Sequence, residues 1–318
     1  MSAFGLPPEA STLAPRIDAL LFAVTGVTTA VALAVFVTMI VFAIRYRAGS
    51  KARRADDVPA AQARARRRVE VAWTLVPLLL FIAAFAWATQ LYVARAAPPA
   101  EAVDVFVVAK QWMWTLQHPS GQREINELHV ARGQPVRLVM TSQDVIHSFF
   151  VPAFRLKQDV LPGRYTEMWF TPTRTGRFHL FCAEYCGTDH ARMGGDIVVM
   201  EPADFERWLD AHGGTPDMAA RGEALFRQYG CSGCHGANAT IHAPDLAGLF
   251  GKPVPLADGT TVIADERYLR DSILLPRKEI AAGYEPIMPS FAGQIGEPDI
   301  LDLIAYIRRL SGSMERPR

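Results

Sequence analysis

The sequence predicts a multidomain membrane protein composed of a two-helix transmembrane hairpin, an all-β sandwich and an all-α domain. Two long stretches near the N-terminus carry no charged side chain, the centre alternates apolar and polar residues in short runs, and the C-terminal third spaces apolar residues three and four apart. With 318 residues, the chain has room for several domains. We predict an N-terminal segment and the hairpin at 1–100, the sandwich at 101–205, and a linker with the helical domain at 206–318.

The hairpin is predicted from the uncharged stretches 19–44 and 71–94. At helical rise the first is roughly 39 Å long, which is enough to cross a bilayer. Residues 45–68, between the two stretches, carry many Lys and Arg and only Asp56 and Asp57 as acidic residues. Because short basic loops stay in the cytoplasm, we place both termini and both soluble domains on the periplasmic side of the inner (plasma) membrane. A solvated or nucleic-acid-binding role for the basic run is disfavoured by its apolar flanks, so no nucleic-acid partner is expected.

The two soluble domains differ in the period of their apolar residues. After the stiff linker AAPPA, the runs VDVFVVAK, REINELHV, PVRLVM, TEMWF, RFHLF and DIVVM are typical of an antiparallel sandwich or barrel. The polar stretch AHGGTPD then precedes MAARGEALFRQYG and EPDILDLIAYIRRL, which indicate helices with one buried face. The chain therefore changes from strands to helices near residue 211.

The second pair of cysteines lies in CSGCH, Cys231 to His235. Two thiols so spaced can form thioethers to the vinyl groups of haem, with the next imidazole held under the iron. Met288 in IMPSF is the predicted sixth ligand, while Met218 and Met314 are weaker candidates. We further expect the carbonyl of Pro244 to meet the His235 ring, although an ordinary proline turn is the alternative.

These residues resemble a class I cytochrome c over about 90 residues: GEALFRQYGCSGCHG, APDLAGL, MPSF and a last helix with Tyr306. The resemblance implies a covalent haem c held by Cys231, Cys234, His235 and Met288.

The first pair of cysteines lies in FCAEYCGTDHARM, where Cys182 and Cys186 are followed by His190 and Met193. Taken alone, such a pair in an oxidising compartment could be a disulfide. Thiolate, imidazole and thioether together instead favour copper, and two bridging thiolates imply two metals. The second metal needs a histidine from a separate strand or loop, for which His147 is the candidate. The remaining histidines are interpreted as packing or surface residues.

The segment from SQDVIHSFFVP to FCAEYCGTDHARMGG, with the aromatic segment KQWMWTLQHP, resembles subunit II of haem-copper cytochrome c oxidases. With the hairpin and the cytochrome domain, nearly the whole chain resembles a fused bacterial subunit II. The resemblance implies a cupredoxin-like sandwich holding a dinuclear copper A centre. Its implied ligands are Cys182 and Cys186 as bridges, with His147, Met193, His190 and the Glu184 carbonyl as terminal ligands; which histidine shares a copper with the methionine is left open.

The same resemblance implies roles for three further residues. Glu184 would turn its side chain toward a magnesium ion at the interface with subunit I. Trp112 would be the electron-entry aromatic, with a packed core aromatic as the alternative. Glu70 would mark the mouth of a proton channel, with a helix-start carboxylate as the alternative.

The predicted function is electron input to a terminal cytochrome c oxidase. Cytochrome c or another respiratory complex would be the donor, and subunit I, with other oxidase subunits, would reduce oxygen to water and translocate protons. The alternatives are the electron-input subunit of a copper-A nitric oxide reductase and a membrane-anchored copper-binding protein without turnover. A haem domain tethered by a linker would reach the copper at an effective concentration in the mM range.

Overall fold

The computed structural model describes residues 5–50, 60–212, 217–236, 239 and 241–312. They form two units: the long helices at 12–97, and a soluble unit comprising the residues up to Ser11 and those from Pro98 onward. The predicted fold class, with a helical hairpin, a sandwich and a helical domain, is confirmed.

The first unit consists of α1 (Ala14–Arg45) and α2 (Ala60–Ala96). By length and composition, α1 and residues Arg64–Ala96 of α2 are able to span a membrane, and their apolar side chains are exposed. The Thr28 hydroxyl donates to the Val24 carbonyl at 2.8 Å, so this polar group is satisfied within the helix. The central part of the basic run, residues 51–59, lies outside the described residues.

The sandwich contains two five-stranded sheets. Its strands are β1 (Val103–Lys110), β2 (Met113–Gln117), β3 (Arg123–Ile125), β4 (Glu127–Ala131), β5 (Val136–Ser142), β6 (His147–Val151), β7 (Leu156–Val160), β8 (Thr166–Phe170), β9 (Gly176–Cys182) and β10 (Gly194–Met200). One sheet has the order β3-β2-β1-β5-β8 and the other β4-β10-β9-β6-β7. The expected antiparallel pairing holds for most neighbouring strands but is wrong for two pairs, because β1 pairs with β5, and β4 with β10, in parallel.

The helical domain begins with α3 (Pro202–Ala211), which packs on β4 and spans the predicted boundary at residue 205. It continues through α4 (Met218–Gln228), α5 (Ser232–His235), the small hairpin β11 (Pro253–Pro255) and β12 (Thr261–Ile263), α6 (Glu266–Leu274) and α7 (Glu297–Leu310). Helices α4 and α7 cross at Gly222, where a Cβ would lie 1.9 Å from the Asp302 carbonyl oxygen. Only glycine permits so close a crossing.

The helical domain is packed on the sandwich and is not merely tethered to it. The shared core comprises Phe106, Val108 and Val139 of the sheet with Met218, Ala219, Leu301 and Ala305 of α4 and α7. This packing explains why the sequence of β1 is a nearly continuous apolar run, because both faces of the strand are covered. The sequence suggested that the helical domain is joined to the sandwich only by a linker, but the two domains share a fixed interface.

Buried polar contacts reinforce this interface. Asp302 of α7, 2% exposed, accepts hydrogen bonds from Arg221 Nε at 2.8 Å and from Gln117 Nε2 of the sandwich at 3.0 Å. Arg308 of α7 lies 2.7 Å from the Asp104 carboxylate of β1. Each buried charge thus has a partner of opposite sign, as burial of charge requires.

Candidate functional site

The two cysteines of the CxxxC segment place their sulfurs side by side. Cys182 ends β9, Cys186 follows four residues later, and their Sγ atoms are 3.8 Å apart. A disulfide requires about 2.05 Å, so both are free thiols in this structure. Two sulfurs at this separation can both contact a metal ion placed between them.

Four more donor atoms surround the sulfurs. The Nδ1 of His147, at the start of β6, lies 4.0 Å from Cys182 Sγ, and the Glu184 carbonyl oxygen lies 3.3 Å from the same sulfur. Around Cys186 Sγ, His190 Nδ1 lies at 3.5 Å and Met193 Sδ at 3.7 Å. The structure therefore brings together all six predicted copper ligands. This set of soft and borderline donors fits copper and does not fit a hard cation.

Asp144 orients the buried His147 ring. Its Oδ1 lies 2.8 Å from His147 Nε2, which leaves Nδ1 facing Cys182. Burial opposes ionisation of Asp144, but hydrogen bonds from Gln111 N–H, His147 and Val145 N–H hold its pKa below the usual value. A carboxylate on the far nitrogen fixes the ring and strengthens it as a ligand. We did not predict Asp144 from the sequence, although it lies three residues before the candidate histidine.

The carbonyl of Cys186 is held by two donors from the segment after β1. Gln111 Nε2 donates to it at 2.7 Å and Trp112 Nε1 at 3.2 Å. Gly187, with φ of +116°, allows this approach, because a Cβ there would lie 2.9 Å from Gln111 Nε2. Trp112 is half-buried, and in the described part of the chain no hydrogen bond or ring contact joins it to the helical domain.

The two thiols differ in acidity. Burial opposes ionisation of Cys182, but hydrogen bonds from His147 and the main chain lower its pKa below the ordinary value. Burial and the negative charge on Cys182 raise the pKa of Cys186 above its ordinary value. Because metals bind the thiolate form, a metal that contacts both sulfurs must displace the proton of Cys186.

The predicted haem ligands lie in the helical domain. Cys231 immediately precedes the single turn of α5, Cys234 lies within it, and His235 ends it. His235 Nδ1 lies 2.9 Å from the Pro244 carbonyl, as expected from the sequence, and its Nε2 has no partner among the described residues. Met288 is half-buried on the same apolar cluster as Cys231. A covalently attached haem fits these groups, which are two thiols in one short segment, an imidazole whose Nδ1 is already hydrogen-bonded, and a thioether.

The other candidates occupy different environments. Met218 is buried in the shared core at the start of α4, and Met314 lies outside the described residues. Glu70 is the eleventh residue of α2 and pairs with Arg66 at 2.9 Å. Its interpretation as a helix-start carboxylate is therefore wrong. The Glu184 side chain is exposed.

A second group of possible metal ligands, Glu124, Glu127 and His129, is accounted for by hydrogen bonds. Glu124 accepts from His118 Nε2 at 2.9 Å and from His129 Nδ1 at 2.5 Å, while Glu127 pairs with Arg177. Burial opposes ionisation of Glu124, yet the two imidazoles lower its pKa to about 2. These histidines thus have the packing role predicted for them.

Two family models match the soluble unit. Residues 120–201 match cytochrome c oxidase subunit II, periplasmic domain, and residues 219–311 match cytochrome c. The first implies copper A and the second implies haem. A solved structure, the periplasmic domain of subunit II of cytochrome oxidase of Bradyrhizobium japonicum, is 32% identical, with a TM-score of 0.35, covering 36% of this chain and 96% of that chain.

Curated relatives extend the similarity along the chain. Cytochrome c oxidase subunit 2 of Alkalihalophilus pseudofirmus is 30% identical over 293 residues, covering 86% of this chain and 83% of the relative. The alternative cytochrome c oxidase subunit 2 of Bradyrhizobium diazoefficiens is 30% identical over 162 residues, and this alignment spans 58% of that relative. Because the former match covers 86% of the chain, it must include parts of the hairpin, the sandwich and the helical domain. The chain therefore belongs to the cytochrome c oxidase subunit 2 family.

Proposed function

We propose that this chain is the electron-input subunit of a bacterial terminal oxidase. It would receive electrons from cytochrome c or another respiratory complex and deliver them to subunit I, which would reduce oxygen to water and translocate protons. Its redox groups would be a covalent haem c in the helical domain and dinuclear copper A in the sandwich. The observation that carries this proposal is the pair of sulfurs 3.8 Å apart with four further donors within 4.0 Å of one or the other.

The copper ligands suit electron transfer because their positions are fixed. Copper held by Cys182, Cys186, His147, His190, Met193 and the Glu184 carbonyl would supply one-electron transfer. His147, Cys182 and Cys186 are buried, and Asp144 fixes the His147 ring. Ligands that are held by strands and by hydrogen bonds keep one geometry in both redox states.

The haem would be attached through Cys231 and Cys234, with His235 and Met288 as axial ligands. The Pro244 carbonyl would keep the His235 ring in one orientation, because it accepts from Nδ1 and leaves Nε2 for the iron. A methionine opposite a histidine raises the reduction potential and suits electron transfer.

Three residues outside these two sets have proposed roles. Trp112 would be the electron-entry aromatic, supported by its indole hydrogen bond to the carbonyl of Cys186. Glu184 would place its exposed carboxylate on a magnesium ion at the subunit I interface. Glu70 would mark a proton-channel mouth on a membrane-spanning helix. Both termini and the soluble domains would lie on the periplasmic side of the membrane.

The test is the metal content of the full-length chain, expressed with copper and haem maturation and purified in detergent. We expect two coppers for each iron and an electron paramagnetic resonance spectrum from one electron shared by both copper nuclei. A single copper with a mononuclear spectrum, or copper removed by a mild chelator, would contradict the copper A assignment. Oxygen and nitric oxide consumption after assembly with the partner subunits would then separate the oxidase from the nitric oxide reductase.

A further inference from the structure

The two proposed axial ligands of the haem depend on two separate loops. The proximal loop, residues 241–245, contains Pro244, whose carbonyl contacts His235 at 2.9 Å. The distal loop, residues 280–290, contains Met288. A stable sixth ligand requires the distal loop to stay closed over the haem, and the contacts that hold this loop can be traced.

The distal loop is anchored at both ends. At its start, the Ile280 carbonyl accepts from Ala257 N–H at 2.8 Å, which ties it to the chain after β11. At its end, Ser290 Oγ donates to the Leu274 carbonyl of α6 at 2.6 Å. Near its start the loop is held once more, because Ala282 N–H donates to the Pro255 carbonyl at 2.9 Å; from residue 283 to residue 289 the described main-chain bonds are local, such as that from Ile287 N–H to the Glu285 carbonyl. Met288 thus lies on a span with few fixed points.

One ring contact joins the two loops near the middle of that span. The His242 imidazole stacks on the Tyr284 ring, with centroids 4.7 Å apart and planes 18° from parallel. Across the described residues of 241–250 and 280–291, it is the one ring contact or hydrogen bond between the two segments. His242 is exposed and Tyr284 is half-buried, so neither ring is part of the domain core.

We propose that His242 and Tyr284 are positioning residues that clasp the distal loop onto the proximal loop and so keep Met288 on the haem iron. The inference rests on the proposed haem site. Loss of such a stacked aromatic pair changes an equilibrium constant by roughly threefold to tenfold. The equilibrium concerned here is that between the closed distal loop and an open loop that lacks methionine ligation.

The test measures how readily added imidazole displaces Met288 in the full-length oxidised protein. In His242→Ala, we expect imidazole to bind roughly threefold to tenfold more tightly, because the open loop is more populated. The charge-transfer band of methionine-ligated ferric haem should weaken in parallel. His242→Phe, which keeps a stacking ring, should restore the wild-type values.

A matched control is His212→Ala, which removes another exposed histidine stacked on an aromatic ring, Trp208 at 4.8 Å. It should leave imidazole affinity unchanged. An unchanged affinity in His242→Ala, or additive effects of His242→Ala and Tyr284→Leu in the double variant, would overturn the clasp. A chain that carries no haem at all would instead contradict the proposed haem site, so the two failures are distinguishable.

Discussion

The two candidate redox sites of this chain are built in opposite ways. In the sandwich, the donors come from strand ends and the segment between β9 and β10, and each lies within 4.0 Å of a cysteine sulfur. In the helical domain, the donors come from one helical turn and a long loop, and among the described residues one side-chain hydrogen bond, from His235 to Pro244, fixes one of them. The donors of the first site are therefore brought together by strand pairing, whereas those of the second lie on a helical turn and a loop.

This difference shows how sheet register can prepare a metal site. His147 is opposite Val160 in the β6–β7 register, and Phe149 is opposite Cys182 in the β6–β9 register. Residues two apart on a strand face the same side of the sheet, so His147 lies on the same side as Phe149 and as its partner Cys182. Strand pairing alone therefore brings the histidine close to the cysteine. A loop has no such register, so strand pairing does not fix the position of a ligand such as Met288.

The largest expected effect is the loss of the copper centre in Cys182→Ser. A bridging thiolate serves both metals, so its removal should abolish the dinuclear signal in electron paramagnetic resonance and lower the copper content. The matched Cys231→Ser variant should keep the dinuclear signal and the copper content, because Cys231 belongs to the proposed haem site and not to the proposed copper ligands. A Cys182→Ser protein with an intact dinuclear spectrum would contradict the proposed role of Cys182 as a bridging ligand.

A second variant tests whether the two domains unfold together. Asp302→Ala leaves Arg221 and Gln117 without their shared acceptor, which should lower the free energy of unfolding by about 3 kcal/mol. Denaturant unfolding followed by haem absorbance and by sandwich tryptophan fluorescence should shift equally. The control Asp299→Ala, on the same helix, should cost less than about 1 kcal/mol. A shift of the haem signal alone would show independent domains.

A third variant tests the buried cluster of Glu124 with His118 and His129, whose rings pack against Trp208 of α3. The folded-state pKa of Glu124, about 2, lies below its ordinary value of 4.5, so its carboxylate stabilises the fold above pH 4.5 and this contribution is lost as the pH falls toward 2. Glu124→Gln should lower the free energy of unfolding by about 2 kcal/mol at pH 7. The exposed Glu206→Gln is the control. A difference that stays constant down to pH 2 would exclude ionisation as its cause.

The smallest expected effect in the sandwich concerns Asp144. In Asp144→Asn the His147 ring loses its charged partner, so copper affinity should fall about 10- to 100-fold while the site still forms. Competition with a chelator measures this affinity. Asp159→Asn is the matched control, because Asp159 accepts from Ser148 at 2.8 Å and, among the described residues, contacts no proposed ligand. Equal losses in both variants would show that orientation of the ring is not the cause.

The sequence by itself determined the features that depend on neighbours along the chain. The two apolar helices, the change from alternating to helical periodicity, and the spacings of CxxxC and CxxCH are all local, and the contact between His235 and Pro244 spans only nine residues. The combination of motifs was sufficient to predict the family, because each motif restricts the chemistry of its own segment.

Tertiary structure decided which residues far apart in the sequence come into contact. The position of His147 beside Cys182 spans 35 residues, and the hydrogen bond of Gln117 to Asp302 spans 185. The roles of Asp144 and Gln111, the covered outer face of β1 and the fixed interface between the domains follow from which strands pair and which faces pack. Periodicity shows that a face is buried, but only the folded chain shows what buries it, because contacts between distant segments depend on strand register and helix packing.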